Sequence, residues 1–437
     1  MRRVLAPLLL LSIALGSACG PGKNAAQNGP GESPETMQPS DDGSAAAAAP
    51  SAPPEPPPPP PPPPPLPDGY LAFEDACAVQ RVVTIGAVGD VLLHHELQKQ
   101  AFAEPKRYVD LWRDIVDLLQ APDFTWANLE GPAARGIDRK GNEVEDPGPR
   151  FDNVVYTGYP RFNYHPSVAE DLLASGVDLV STANNHAFDR YELGVERTID
   201  ALKKAKLPWV GTRKRGSKAP WHVVTDIEGL RVAWVACTIF TNFHKDKLGQ
   251  VLYCFKDDTV ETLVRELDAD PKIDAVIVTP HWGKEYEPEP GEKQIEYARR
   301  WAEAGAVAII GAHPHVLQPW ETLRTTDGRE TFVIHSLGNF VSHQRELPRR
   351  TTILLYLGLG QRADGKVVPV GARYVPLHVR MEGKMERFYV EAIERAGGPE
   401  DARALTVDMY GPHNLMAPDE ALDVRPHCDP SWAGFGE

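Results

Sequence analysis

From Arg81 onward, short β-branched apolar runs alternate with stretches of helical spacing, whereas the preceding 60 or so residues carry no such periodicity. Continuous or alternating apolar residues at 82–88, 124–127, 179–181, 275–279 and 307–310 predict strands. Residues 223–227 and 231–238, separated by Glu228-Gly229-Leu230, predict a hairpin. Helices are expected over 108–119, where Leu111, Ile115, Leu118 and Leu119 share a face, and over 168–174, 194–205, 260–267 and 294–304. The pattern then turns to β at 331–335, 352–359 and 367–377. Alternating β and α units followed by added strands predict an α/β layered sandwich with mixed sheets.

Composition changes the picture at the N-terminal end. Of 42 prolines in 437 residues, 18 lie between Pro21 and Pro67, and Pro56 to Pro65 is unbroken. Residues 20–67 cannot bury enough apolar surface to fold, so they predict a disordered tether whose proline run is a stiff rod of roughly 30 Å. Residues 1–19 predict a secretory signal: Arg2 and Arg3 precede an apolar run, and Gly16-Ser17-Ala18 precede Cys19. Cysteine at that place resembles a bacterial lipoprotein signal, which implies lipidation of Cys19 and a membrane anchor at the extracytoplasmic face of a bacterial cell envelope. Plain secretion is the alternative. A lead-in segment (68–80), a main domain (81–378) and a C-terminal extension (379–437) complete the expected organisation.

The net charge of −15, with no basic block, sets nucleic acid aside as a partner. Besides Cys19 the chain has Cys77, Cys237, Cys254 and Cys428, an even number that permits two disulfides in three connectivities. Four free thiols are the alternative. Their spacing gives no metal motif.

Chemistry-bearing residues follow the predicted strands at their carboxyl ends. Asp90 follows Val88-Gly89, Glu130 follows Asn128-Leu129, Asn184-Asn185-His186 follow Ala183, His281 follows Pro280, and His313 and His315 follow Gly311-Ala312. Singly, each has an ordinary explanation: a helix cap, a solvated turn, a core histidine, a stiff His-Pro-His loop. Together, five insertions at the crevice end of an α/β sheet predict one metal site, since imidazoles, carboxylates and an amide oxygen suit divalent transition ions.

The segments Gly89-Asp90, Asn128-Leu129-Glu130, Asn184-Asn185-His186-Ala187-Phe188-Asp189, His281-Trp282-Gly283-Lys284-Glu285-Tyr286, Gly311-Ala312-His313-Pro314-His315 and Ser336-Leu337-Gly338-Asn339-Phe340 resemble, in order, the motifs of the bacterial capsule-synthesis CapA/PgsA family, associated with poly-γ-glutamate. That family belongs to the calcineurin-like metallophosphoesterase superfamily, which implies an αββα sandwich and one or two ions of the Mn, Fe or Zn type. The resemblance places Asp90, Glu130 and His315 on a first metal, and Glu130, Asn185, His281 and His313 on a second. It makes His186 the acid that protonates a leaving oxygen. Asn184, Asp189, Trp282, Glu285, Tyr286 and Asn339 are expected at the substrate.

Leu92 replaces a histidine usual in the superfamily, with His94 and His95 as nearby substitutes, and Tyr191 stands where glycine is usual in the family. Three functions follow from the resemblance. One is an envelope-anchored phosphoesterase-type enzyme in synthesis, export or anchoring of an anionic capsule polymer, working with capsule-synthesis membrane proteins. Another is a non-catalytic assembly or binding subunit, and the third a phosphatase or phosphodiesterase acting on an unrelated exported substrate. The cations Arg213, Lys214, Arg215 and Lys218 are a candidate local patch for a polyanion, or a solvated loop.

Overall fold

The computed structural model describes residues 66–383 and 386–429. The expected signal peptide, Cys19 and all of the tether before Leu66 lie outside the described residues. Among the described residues, thirteen strands form two mixed sheets: β1 (Arg81–Val91), β2 (Phe124–Leu129), β3 (Leu179–Ser181), β4 (Trp209–Val210), β5 (His222–Ile227), β6 (Leu230–Thr238), β7 (Ala275–His281), β8 (Ala308–Ile310), β9 (Leu317–Arg324), β10 (Glu330–Leu337), β11 (Thr351–Gln361), β12 (Val367–Glu382) and β13 (Arg387–Ala392). The first sheet runs β13-β12-β11-β1-β2-β3-β4 and the second β5-β6-β7-β8-β10-β9. Strands β1 to β4 are mutually parallel, as are β6, β7, β8 and β10.

The period-two pattern of each strand decides the layering. In β6, Val232, Trp234 and Ala236 face a core shared with Val83, Ile85 and Ala87 of β1, while Ala233, Val235 and Cys237 face the helices Thr259–Asp268 and Glu292–Ala304. A third core lies on the outer side of the first sheet, where Leu97, Leu172 and Leu202 of three helices cover it. The expected α/β sandwich is therefore present as helix, sheet, sheet, helix.

The region expected as one helix over 108–119 is instead two 3₁₀ turns, Arg107–Leu111 and Arg113–Ile115, and one short α turn, Val116–Leu119. Tertiary ties override the helical spacing. Trp112 Nε1 donates to Ser175 Oγ at 2.7 Å, and the Tyr108 amide donates to Asp171 at 3.1 Å, pinning the chain at a shorter pitch.

The boundary at 378 falls inside β12, and β13 pairs along it from Leu377 to Glu382. Beyond it, the helix Glu400–Tyr410 places Tyr410 in the inter-sheet core, with its hydroxyl donating to Gln318 O at 2.9 Å. The lead-in segment contributes Phe73 and Ala76 to the same core. Disulfides join Cys77 to Cys428 and Cys237 to Cys254, which selects one of the three connectivities.

Candidate metal centre

All the parallel strands deliver their carboxyl ends to one edge of the sandwich. Asp90 is the penultimate residue of β1, Glu130 follows β2, Asn184 to His186 follow β3, His281 ends β7, and His313 and His315 follow β8. A bulge sets the direction of Asp90. Val88 pairs with Ala127 and Asp90 with Asn128, so Gly89 is an extra residue in β1. Only glycine fits there, because a Cβ would lie 1.9 Å from Gly338 O. The His-Pro-His loop is strained as well: His313 has φ 103° and His315 φ 59°, conformations a side-chain-bearing residue keeps only when its surroundings hold it.

The six expected ligands meet in a buried cluster. His281 Nε2 lies 2.9 Å from Asn185 Oδ1, 3.1 Å from His313 Nδ1 and 3.5 Å from Glu130 Oε1. His315 Nδ1 lies 3.1 Å from Asp90 Oδ2, and its Nε2 lies 3.8 Å from Glu130 Oε1. Glu130 is wholly buried, yet neither of its carboxylate oxygens has a hydrogen-bond partner among the described residues. Burying such a group unpaired costs several kcal/mol, by an order-of-magnitude estimate. Imidazoles, carboxylates and an amide oxygen converging around an orphaned carboxylate fit a divalent cation. Two groups of ligand atoms lie mutually within 4.8 Å, Asp90 with Glu130 and His281, and Glu130 with His313 and His315. Glu130 belongs to both groups, as a bridging carboxylate does. The shortest contacts keep His315 beside Asp90, and His281 beside His313 and Asn185.

Around the ligands stand residues that orient them. Asn128 Nδ2 donates to Asp90 Oδ1 at 2.7 Å, a role the sequence reading missed although Asn128 lay inside a quoted motif. Asn339 accepts from His315 Nδ1 through its Oδ1 at 2.9 Å and donates to Arg349 O at 2.9 Å. Asn184 Nδ2 donates to Leu129 O at 2.8 Å, tying the loop after β3 to the end of β2. Asp189 Oδ2 lies 2.7 Å from His186 Nδ1 and accepts from the Phe162 amide at 2.6 Å. Asn184, Asp189 and Asn339 are buried, and these bonds make them supports for the loops and rings around the cluster.

Trp282 corrects the expectation more sharply. Along β7 successive side chains alternate, so with His281 at the cluster Trp282 points into the core behind it, stacked on Trp301 with centroids 5.3 Å apart. Its indole donates to His335 O at 3.0 Å.

Beside the cluster opens a cavity of about 430 Å³. His186, His315, Glu285, Tyr286, Tyr159, Asn242 and Phe243 line it. Tyr286 is stacked against Arg349, whose guanidinium carbon sits 3.6 Å from the ring centroid. Leu92 also lines the cavity, with His94 beside it. His94 turns its ring edge to Phe162 at 5.2 Å and belongs to neither ligand group, and His95 pairs outward with Glu96 at 2.6 Å. Tyr191 takes φ 57°, the conformation glycine would adopt freely, and stacks on His244 at 3.8 Å. The basic patch is largely neutralised: Lys214 pairs with Asp200 at 2.5 Å, Arg215 with Glu196 at 2.8 Å, and Arg213 lies 3.8 Å over Trp221.

Electrostatics separate the histidines. Burial would lower His315, but Glu130 and Asp90 outweigh it and raise the imidazole to about 9. Burial, reinforced by His281 and His315, holds His313 well below its ordinary value, so it presents a neutral ligand. Burial opposes protonation of His186, and the charge of Asp189 overcomes it to raise the group. Burial works against ionised Asp90, yet the His315 hydrogen bond and the nearby imidazoles keep it low.

Residues 84–344, more than half of the chain, match the family model described as Bacterial capsule synthesis protein PGA_cap. The chain is 28% identical over 278 residues to the capsule biosynthesis protein CapA of Bacillus anthracis, covering 60% of each. It is 26% identical over 304 residues to the PGA biosynthesis protein CapA of Bacillus subtilis (strain 168), covering 66% of this chain and 71% of that one. Among solved structures, a 5'-nucleotidase precursor from Thermus thermophilus aligns at TM-score 0.40 with 13% identity, over 75% of this chain and 59% of that one.

Proposed function

The chain belongs to the bacterial capsule synthesis family PGA_cap, and from that membership we propose a metal-dependent, phosphoesterase-type enzyme serving the synthesis, export or anchoring of an anionic capsule polymer of the poly-γ-glutamate kind. The observation that carries the enzymatic part is Glu130, a wholly buried carboxylate with no hydrogen-bond partner among the described residues, ringed by Asp90, Asn185, His281, His313 and His315. Those six residues would hold one or two ions of the Mn, Fe or Zn type. Such ions supply polarisation of a phosphoryl oxygen and a bound water acidic enough to attack it.

The chain's own residues supply the rest. His186 lines the cavity with Nδ1 fixed by Asp189, so its Nε2 is the nitrogen that can hold a proton at the leaving oxygen. Asn128 and Asn339 fix Asp90 and His315, keeping donor atoms converged. The Arg349–Tyr286 stack forms a wall against which an anionic group can lie. At about 430 Å³ the cavity has room for a terminal unit of a polymer whose remainder would run outside.

We further propose that Cys19 is lipidated, which would fix the protein to the envelope membrane beside capsule-synthesis membrane proteins. No described helix is long and apolar enough to cross a membrane.

The buried Leu92, which removes one nitrogen from the superfamily's ligand set, favours the second reading, an assembly subunit with a structural metal. Two variants separate the readings. His313→Ala is expected to lose metal together with phosphodiester turnover. His186→Ala keeps metal and loses about 10²- to 10⁴-fold in turnover. A folded His186→Ala protein with wild-type turnover and capsule phenotype contradicts the enzymatic reading.

A further inference from the structure

The segment after β6 crosses from the second sheet to the loop that ends β3. There the backbone amide of Asn242 donates to Asn185 O at 2.7 Å, and Asn242 Nδ2 stands 3.4 Å from His186 Nε2. The Phe240 ring meets His313 edge-on at 5.6 Å, and His244 stacks on Tyr191. One strap therefore touches two of the site's loops and the start of the helix Tyr191–Ala205. Its base is closed by the Cys237–Cys254 disulfide, and inside it Asp246 Oδ2 accepts from the amides of Gln250 at 2.6 Å and Val251 at 2.8 Å.

Phe243, at φ 58°, has the left-handed backbone that side-chain-bearing residues keep only under constraint. That turn leaves its ring 56% exposed on the cavity wall, with the Arg161 guanidinium 4.7 Å from its centroid. His186 is then held from three sides. Asp189 accepts from Nδ1–H, the Phe162 ring packs at 4.7 Å, and the Asn242 side-chain amide lies 3.4 Å from Nε2.

We propose that Asn242 is a positioning residue for His186, carried to it by a strap (239–253) that the Cys237–Cys254 disulfide anchors to the second sheet. The strap fixes the second nitrogen of a ring whose first nitrogen Asp189 already holds, and places Phe243 where substrate enters. The catalytic consequence rests on the phosphoesterase reading, whereas the hold on the ring does not.

Histidine-selective nitrogen NMR on the full chain, combined with turnover of bis(p-nitrophenyl) phosphate by the metal-loaded protein, tests it. The His186 resonance is identified by its loss in His186→Ala. Asn242→Ala is expected to shift and broaden that resonance, leave the other histidines in place, and lower kcat about 10-fold with KM little changed. Asn242→Gln, which keeps the amide on a longer stem, recovers most of both effects. A protein that cleaves no phosphoester while Asn242→Ala still moves the His186 resonance defeats the phosphoesterase reading and supports the strap. The proposal is overturned by an unmoved His186 resonance, by an unchanged kcat in an active protein, or by a folded Cys237→Ala/Cys254→Ala protein whose His186 keeps its wild-type resonance.

Discussion

Treatment with a chelator followed by a rise in pH is the perturbation that most exposes the cluster's electrostatics. In the metal-free fold His315 is raised from an ordinary 6.5 to about 9, with Glu130 and Asp90 overcoming burial. At 1.36 kcal/mol per unit this is a contribution of about 3 kcal/mol, and His315 is 3% exposed, so solvent screening removes little of it. A raised folded-state value means the stabilisation is fully present below pH 6.5 and is lost as pH rises through about 9. Urea unfolding of the chelated protein at pH 6 and pH 9.5, beside His315→Gln, reads it. Wild type should lose about 3 kcal/mol more than the variant between those conditions. Saturating divalent metal should reverse the trend, because a ligand imidazole must give up its proton and affinity therefore rises with pH. Identical pH slopes for chelated wild type and His315→Gln would refute the reasoning.

Gly89→Ala places a methyl 1.9 Å from Gly338 O, so it should cost about 3 kcal/mol or more and lower metal content, readable by calorimetry and elemental analysis. The Cys77–Cys428 bridge closes a separation of 351 residues, so Cys77→Ser/Cys428→Ser should lower unfolding free energy by up to about 5 kcal/mol while leaving bound metal unchanged. Cys19→Ser should release the protein from the membrane fraction, and a variant that stays membrane-bound counts against lipidation.

The strands and the residues of the buried cluster were legible because each rests on a local signal. β-branched runs mark β1, β2, β7 and β8, and each is followed by a carboxylate or imidazole where an apolar residue would ordinarily continue. The tertiary contributions were not legible. Nothing local distinguishes Trp282 from a substrate contact, since its inward direction follows from the pleat and from where His281 points. The 3₁₀ turns at 107–115 arise from bonds to Ser175 and Asp171, some 60 residues away. Asn242 lies in a segment without periodicity and gains meaning only because β6 brings it beside His186. β13 and the helix Glu400–Tyr410 carry ordinary propensities, and their membership of the fold comes from pairing with β12 and from the burial of Tyr410.

The central claim is that Glu130 is a buried carboxylate because divalent ions bind it. Elemental analysis of the purified full chain after reconstitution with Mn, Fe or Zn, beside folded Glu130→Gln, measures this directly. The account predicts one or two ions per wild-type chain and nearly none in Glu130→Gln, whose side chain has the same shape without the charge. A folded wild type that retains no ion from any of the three, or a Glu130→Gln protein that retains as much as wild type, would contradict it.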